Sequence, residues 1–407
     1  MKQWLNARRD VLLIVALFVA FRLMWLMAYP PSAPMVFGDY QYYYDLARLA
    51  GQGHWPFTGY WMEYPPVFAY LLQYLYVLVG DNYTAFATAL GVVMLAFEAG
   101  NVVLVYRLAS FAHSSGEYAL KLTWVYGYLF IPTLVVWHNN DVIPTFFLLL
   151  AADEYLRGRS NRSAVWLGLG TMSKFFPIVL LPVIWRFRRS VRSAVTYTAI
   201  AGAICLLMIV PLLVASPTYA IPSLRALFVK SSWQTVWALL DGNLTTGLFG
   251  QPASVHLDPV MATLASGNPA RIPLLIPLLA FGLLYSWLWL KTPTPNSSTQ
   301  GGPHVALDFH TLAAVTLVIF FLWSRGWSPQ WLVMLIPFLL IVLPLGRALL
   351  YILTLSFMNL LEWPVLLSRG MNQWLYFTVP VRTLLLVMLL INLVQVMQTR
   401  KKEPGKP

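Results

Sequence analysis

A carboxylate at the start of an aromatic run is the first feature of this sequence that could do chemistry. Asp39 follows a glycine and precedes Tyr40-Gln41-Tyr42-Tyr43-Tyr44-Asp45. A carboxylate at a turn that opens a helix can accept a proton or a hydrogen bond from a bound hydroxyl group. The simpler interpretation is an aspartate that caps the next helix, above aromatic side chains of a membrane surface.

Two further polar clusters contain groups that could bind a substrate. Glu63 and Tyr64 precede a double proline, which fixes the chain and begins a helix. Glu63 could bind a sugar hydroxyl, or it could be a solvated loop acid. The run His138-Asn139-Asn140-Asp141 is a tight polar turn whose side chains, those of His138, Asn140 and Asp141 above all, could hydrogen-bond a substrate. Its alternative is a helix stop followed by an aspartate cap.

Lys174 is the most informative cation, because it lies in Ser173-Lys174-Phe175-Phe176-Pro177 between two short apolar segments. An ammonium in such a position is costly unless it faces water or an anion, and a phosphate is a natural anion for it. Alternatively, Lys174 extends to the surface. Arg325 could supply a second cation near Gln330, although a lone arginine at a turn is also typical of an interfacial anchor.

The composition indicates which kind of element positions these groups. Of 407 residues, 59% are hydrophobic and only 10% are charged, whereas soluble domains carry about 25% charged residues. The net charge of +12 comes from Lys and Arg residues in short loops that flank apolar runs, which is typical of membrane proteins. It therefore does not indicate nucleic-acid binding. The single cysteine, Cys205, excludes an internal disulfide.

The apolar runs predict an all-α polytopic membrane protein with about twelve membrane segments. Ten are single runs, and the short helices at 163–172 and 176–186 meet at the polar tip that carries Lys174. The ten runs lie near 10–29, 84–107, 119–137, 141–156, 194–215, 272–290, 309–325, 329–345, 347–366 and 379–397. The stretch 66–80 is better explained as an interfacial helix, because most Lys and Arg residues then face the cytoplasm together with both termini.

This topology predicts one membrane domain over residues 1–407 with two large external loops. The first, 30–82, carries the candidate catalytic residues and the interfacial helix, and the second covers 216–270. Loops of this length are uncommon unless they are functional. Residues 291–308 are predicted to form a flexible cytoplasmic linker. No internal repeat supports an inverted-repeat transporter.

The order of these motifs resembles the GT-C superfamily of integral membrane glycosyltransferases. Asp39 in Asp-Tyr-x-Tyr-Tyr, Glu63-Tyr64-Pro65-Pro66, the Lys174 segment and Ser328-Pro329-Gln330 occur in the superfamily's order over roughly residues 1–345. They are most similar to bacterial polyprenyl-phosphate-mannose-dependent transferases and to the catalytic subunit of the first GPI mannosyltransferase. The resemblance implies inverting transfer of a monosaccharide, mannose in those relatives, from a polyprenyl-phosphate donor, with Asp39 as the base.

The resemblance also implies a glycan or glycolipid acceptor, sometimes a partner subunit, and a site on the non-cytoplasmic face. That face is external in a cell membrane, or luminal in the endoplasmic reticulum of a eukaryote. Many members have paired acids in the first loop, whereas Tyr40 follows Asp39 here. This difference favours a metal-free branch, so no metal or cofactor is expected.

Two other classes of function stay open. A transporter or lipid flippase would need charged residues along a path through the membrane, and the sequence indicates only Arg22 and Glu98 inside apolar runs. Those two residues could pair with each other as a structural contact or line a cavity. A non-catalytic scaffold is the third class, and it leaves the position of Lys174 unexplained.

Overall fold

The fold consists of α-helices, in a computed structural model that describes residues 2–30, 39–113, 115–129, 139–188, 190–229, 232–245, 252–264, 271–292 and 302–402. Within these ranges the chain forms sixteen α-helices and no β-strand, which confirms the predicted all-α class. The helices are α1 Lys2–Ala28, α2 Tyr40–Arg48, α3 Pro66–Val79, α4 Tyr83–His113, α5 Gly116–Leu129, α6 Val142–Leu156, α7 Ser160–Ser173, α8 Leu180–Arg186, α9 Val191–Ala215, α10 Pro217–Val229, α11 Val236–Asp241, α12 Leu275–Lys291, α13 Pro303–Trp323, α14 Leu332–Val342, α15 Leu345–Leu360 and α16 Leu375–Lys402.

Among the described residues, six helices are long and apolar enough to cross a membrane. They cover Arg9–Ala28, Tyr83–His113, Val191–Ala215, Pro303–Trp323, Leu345–Arg369 and Asn372–Arg400. The α9 helix is the clearest example of a helix that needs surrounding lipid. Its most apolar stretch of 18 residues has a mean hydropathy of 2.6, yet only 6% of that stretch is buried inside the protein. The polytopic membrane class is therefore confirmed, whereas the number of twelve segments stays a prediction.

Several predicted elements are present with changed boundaries. The helix predicted at 66–80 is α3, which begins at Pro66 because the first helical turn tolerates proline. The two short helices predicted around Lys174 are α7 and the helical segment Phe176–Arg186. The predicted linker is shorter than 291–308, because α12 continues to Lys291 and α13 begins at Pro303.

The α2 helix carries the first candidate residues, and its own sequence attaches it to the protein body. Tyr40, Tyr43, Tyr44 and Ala47 are buried and recur at the spacing of one helix face. That face packs against α3 and α4. The residue just before α2, Asp39, is consequently held at a fixed position beside the bundle.

Buried ion pairs connect the long helices. Arg22 Nε lies 2.9 Å from Glu98 Oε2, which confirms the predicted contact between α1 and α4. The expectation that only these two charges are buried is wrong, since Glu362 pairs with Arg382, and Asp153 pairs with arginines of α4 and α6. The sequence shows that Glu362 and Asp153 lie in or beside apolar runs, but it does not show which arginines pair with them. All of these acids are paired, as buried charges in membranes usually are.

Residues 232–245, in the predicted second external loop, dock on the turn after α13. Trp233 N donates to Arg325 O at 3.1 Å, and Trp327 N donates to Trp233 O at 3.1 Å. Gly326 lies directly against the Trp233 ring, where an added Cβ would be 2.2 Å from Trp233 Cζ2. Only glycine lets the two segments approach this closely.

The Gly326→Ala variant should therefore be less stable than the wild type by roughly 1–3 kcal/mol, the usual cost of an overpacked contact. Thermal unfolding of the purified protein in detergent measures the effect. Gly346→Ala is the matched control, because an added Cβ there meets open space. Equal melting temperatures for the two variants would contradict the proposed close contact.

Candidate active site

Asp39 precedes α2 but does not cap it. Its side chain makes no capping hydrogen bond and instead accepts a bond of 3.2 Å from the Tyr43 hydroxyl, one turn into the helix. Asp39 is exposed to solvent, although charged groups of the surrounding protein are close enough to affect its carboxylate. This combination is typical of a residue that lines a cleft, and it leaves the carboxylate available for a ligand.

The environment of Asp39 favours a proton acceptor. Burial raises the pKa of the Asp39 carboxyl above its ordinary value, and the nearby charges of Glu63 and Asp141 raise this pKa further. The Tyr43 hydrogen bond and the positive charge of Lys174 oppose the increase. A carboxylate whose pKa is raised is a stronger base than an ordinary aspartate, provided that the pH keeps it ionised.

Lys174 meets Asp141 where two antiparallel helices begin and end. The α7 helix ends at Ser173 and Lys174 is extended, while α6 begins just after Asp141. Lys174 Nζ lies 2.6 Å from Asp141 Oδ1 and 3.5 Å from Asn140 Oδ1. The Lys174 side chain is 18% exposed, whereas that of Asp141 is fully buried. Lys174 is therefore anchored to an acid rather than extended freely to the surface.

Asp141 has the position of a helix cap without that function. Its side chain makes no capping bond, and the contact with Lys174 is off the direction of a regular hydrogen bond, so neither Asp141 oxygen has a hydrogen-bond donor among the described residues. Burying an aspartate this deeply is costly unless a cation compensates it. Asn140 and Asp141 thus position Lys174, and their predicted contact with a substrate stays a prediction.

Glu63 belongs to a chain of hydrogen bonds that sequence reasoning missed. The Tyr42 hydroxyl lies 3.2 Å from Glu63 Oε1 and 3.1 Å from His256 Nε2. His256 is buried, and its ring stacks on Trp61 at a centroid distance of 4.0 Å. The segment before α3 and the segment after α11 therefore meet near Asp39.

The bond made by His256 Nδ1 fixes which ring nitrogen of neutral His256 carries the hydrogen. Nδ1 lies 2.8 Å from the Trp61 carbonyl oxygen, which can only accept, so Nδ1 carries the hydrogen. Neutral His256 then accepts from the Tyr42 hydroxyl, whereas protonated His256 donates to it. In the second case the Tyr42 hydrogen is directed to Glu63. No local pattern relates residues 42 and 256, so the sequence alone could not reveal this contact.

The structure brings together six of the nine predicted site residues. Glu63, Asp141 and Lys174 each act on Asp39 electrostatically, and Asn140 contacts Lys174. The Tyr64 ring packs edge-on against Tyr43 at 5.6 Å and is close enough for Asp39 to act on it. In this arrangement one carboxylate can accept a proton while an adjacent ammonium attracts an anion.

Within the described part of the chain, Arg325 and Gln330 are not part of this arrangement. Arg325 Nη2 donates to the Ile272 carbonyl oxygen at 3.0 Å, and neither residue contacts Asp39 or Lys174. A third predicted residue, His138, lies outside the described residues. The described residues contain no group of three or more His, Cys, Asp or Glu side chains suited to a metal ion. The metal-free mechanism and the roles of Arg325, Gln330 and His138 stay predictions.

Neither a protein-family model nor a curated protein matches the chain. Among solved structures it is similar to the oligosaccharyltransferase of Archaeoglobus fulgidus. The apo form shares 13% identity and a TM-score of 0.42, over 98% of this chain and 56% of that one. The complex with an inhibitory peptide and a dolichol-phosphate shares 13% identity and a TM-score of 0.38, over 95% and 55%. The chain thus spans about half the length of these structures, and the function proposed below is derived from its own residues.

Proposed function

We propose that this membrane protein is an inverting glycosyltransferase, which transfers a monosaccharide from a polyprenyl-phosphate donor to an acceptor at the non-cytoplasmic face of the membrane. The observation that carries the proposal is that Lys174, paired with its anchor Asp141, lies close enough to Asp39 to act on this carboxylate electrostatically. The motif order that resembles GT-C transferases supports the same reaction. Mannose is the proposed sugar, and a glycan or glycolipid is the proposed acceptor.

The reaction needs one base and one cation. An acceptor hydroxyl attacks the anomeric carbon, a new C–O bond forms, and the bond from that carbon to the phosphate oxygen breaks. Asp39 takes the hydroxyl proton, and polyprenyl phosphate leaves with the bonding electrons. Because this leaving group is already a good anion, no general acid is required, unlike in inverting glycosidases, which use two carboxylates.

Lys174 is proposed to hold the donor phosphate. Lys174 Nζ donates to Asn140 Oδ1 at 3.5 Å, and it lies 2.6 Å from Asp141 Oδ1 without a regular hydrogen bond to it. Because an ammonium has three N–H groups, Lys174 can also donate to a phosphate oxygen as negative charge develops on the leaving group. Glu63 and Tyr64 are proposed to bind sugar or acceptor hydroxyls, and the link from Glu63 through Tyr42 to His256 is proposed to fix the Glu63 orientation.

The direct test is transfer by the purified full chain. Reconstituted protein is supplied with labelled polyprenyl-phosphate mannose or polyprenyl-phosphate glucose and a panel of glycan and glycolipid acceptors. We expect a labelled product with inverted anomeric configuration. Label that crosses liposome membranes without any acceptor, and without a new product, would instead identify a transporter or flippase.

The Tyr43→Phe variant should shift the acid limb of the pH profile to higher pH. Asp39 accepts a proton only when ionised, so activity falls as the pH drops through its pKa. The Tyr43 hydroxyl stabilises the ionised form and lowers the Asp39 pKa, so its removal raises that pKa. The measurement is kcat/KM against pH.

Tyr44→Phe is the control for this measurement. Tyr44 lies on the same helix, but its hydroxyl donates to Asp81 at 2.5 Å rather than to Asp39. We expect its profile to match that of the wild type. A Tyr43→Phe profile that coincides with that of Tyr44→Phe would argue against Asp39 as the titrating base.

A further inference from the structure

A second polar cavity lies at the opposite end of the long helices from the Asp39 cleft. The α4 helix begins at Tyr83, whose ring contacts Tyr44 of α2, and this helix of 31 residues ends at the cavity. The cavity has a volume of about 770 Å³ and lies between the ends of α4, α13, α14, α15 and α16. Its polar lining includes His113, His304, Arg347 and Arg400.

The two arginines give this cavity a positive character. Arg347 is exposed, and within the described part of the chain its guanidinium makes no hydrogen bond or ion pair. Arg400 is held in place by bonds to Thr311 Oγ1 at 2.8 Å and to the Val342 carbonyl oxygen at 3.3 Å. Asp308 acts on Arg400 electrostatically, but it forms no direct ion pair with it. Two cations therefore face the cavity with one acid nearby.

The backbone adds to this positive potential. The α13 helix begins at Pro303 and the α15 helix at Leu345, both at the cavity. The first turns of helices present unpaired N–H groups and the positive end of the helix dipole, which favours anions. Together with Arg347 and Arg400, these two helix ends are suited to a phosphate group.

An apolar groove lies along α5 and α15. It has a volume of about 600 Å³, and its lining includes Leu120, Leu349 and Leu353, with Glu117 and Lys121 as charged members. The groove starts within one helical turn of the cavity, because Tyr118 of α5 and Arg347 of α15 line the cavity. A polar headgroup and a hydrocarbon chain would thus find matching surfaces close together.

We propose that this composite site binds an anionic phospholipid from the membrane. Its phosphate contacts Arg347 and Arg400, and one acyl chain lies in the groove against Leu349 and Leu353. A soluble phosphate compound would use the cavity but not the groove, so the nearness of the two along α5 and α15 favours a lipid. The sequence-based topology puts both arginines on the cytoplasmic side, where basic pockets between helices bind acidic headgroups. This site is independent of the glycosyl transfer proposed above.

The test compares lipids that differ only in headgroup. Native mass spectrometry of the detergent-purified full chain measures binding of phosphatidylglycerol and of phosphatidylcholine with identical acyl chains, and glycerol 1-phosphate serves as the soluble phosphate probe. We expect the wild type to prefer phosphatidylglycerol. Arg347→Gln should weaken that binding by about fivefold, the effect of one basic residue at a membrane surface. The control is Arg162→Gln, since Arg162 is exposed on α7 away from the cavity.

A groove variant separates the lipid from a soluble anion. Leu353 is 41% exposed, so Leu353→Trp can fold while it fills the groove, and we expect it to weaken phosphatidylglycerol binding but not glycerol 1-phosphate binding. Equal affinity for the two lipids, or equal behaviour of Arg347→Gln and Arg162→Gln, would overturn the headgroup contact. Unchanged lipid binding by Leu353→Trp, with glycerol 1-phosphate bound as tightly as the lipid, would replace the phospholipid by a soluble phosphate compound.

Discussion

Replacing Asp39 with asparagine should lower the rate of sugar transfer by about 10²- to 10⁴-fold, the usual contribution of a general base. Asparagine has nearly the same shape and still accepts the Tyr43 hydrogen bond, but it cannot take the acceptor proton. The loss should therefore appear in kcat, while the KM for the polyprenyl-phosphate donor changes little. Steady-state kinetics with a labelled donor measure both constants.

Asp45→Asn provides the matched control for Asp39→Asn. Asp45 is on the same helix and accepts a hydrogen bond of 2.9 Å from Gln41, but it is not among the groups that act on Asp39. We expect the Asp45 variant to keep nearly full activity. Transfer by Asp39→Asn at the rate of Asp45→Asn would remove the carboxylate at residue 39 from the mechanism.

The sequence predicted those parts of the fold that depend on local pattern. Apolar runs indicated the long helices, the double proline before Val67 indicated the start of α3, and the break at Lys174 indicated two short helices. Each signal lies within a few residues of the feature that it predicts. The Arg22–Glu98 contact could also be predicted from the sequence, because two opposite charges inside neighbouring apolar runs have few other partners.

Contacts between distant segments could not be predicted in the same way. His256 follows Tyr42 by 214 residues, and no periodicity connects a loop histidine with a tyrosine on a short helix. Asp141 could be explained locally as a helix cap. Its pairing with Lys174 could be predicted only if the packing of α6 against α7 was already known.

The sequence does not fix the number of membrane segments for a related reason. Helices of 14 or 15 residues such as α6 and α7 are shorter than the roughly 20 residues of an ideal span.

The Lys174–Asp141 pair offers a way to separate a structural cation from one that binds the donor. In Lys174→Met, the fully buried Asp141 loses its cation, and the free energy of unfolding should fall by about 3–5 kcal/mol. Loss of activity in this variant alone would therefore not reveal the function of the ammonium. The double variant Lys174→Met with Asp141→Leu replaces both charges with apolar groups, a change that often restores stability.

We expect the double variant to regain most of the melting temperature of the wild type but to remain at least about 100-fold less active, the loss typical when one electrostatic group of a transition state is removed. The reason is that its packing is restored while the phosphate still lacks a cation. Thermal unfolding and donor kinetics on the same preparations measure the two effects separately. Arg22→Met with Glu98→Leu is the control, because it removes a buried pair to which no role in transfer is assigned, and it should retain activity. If the Lys174–Asp141 double variant recovers activity together with stability, Lys174 only supports the fold, and the donor phosphate must be held by another group.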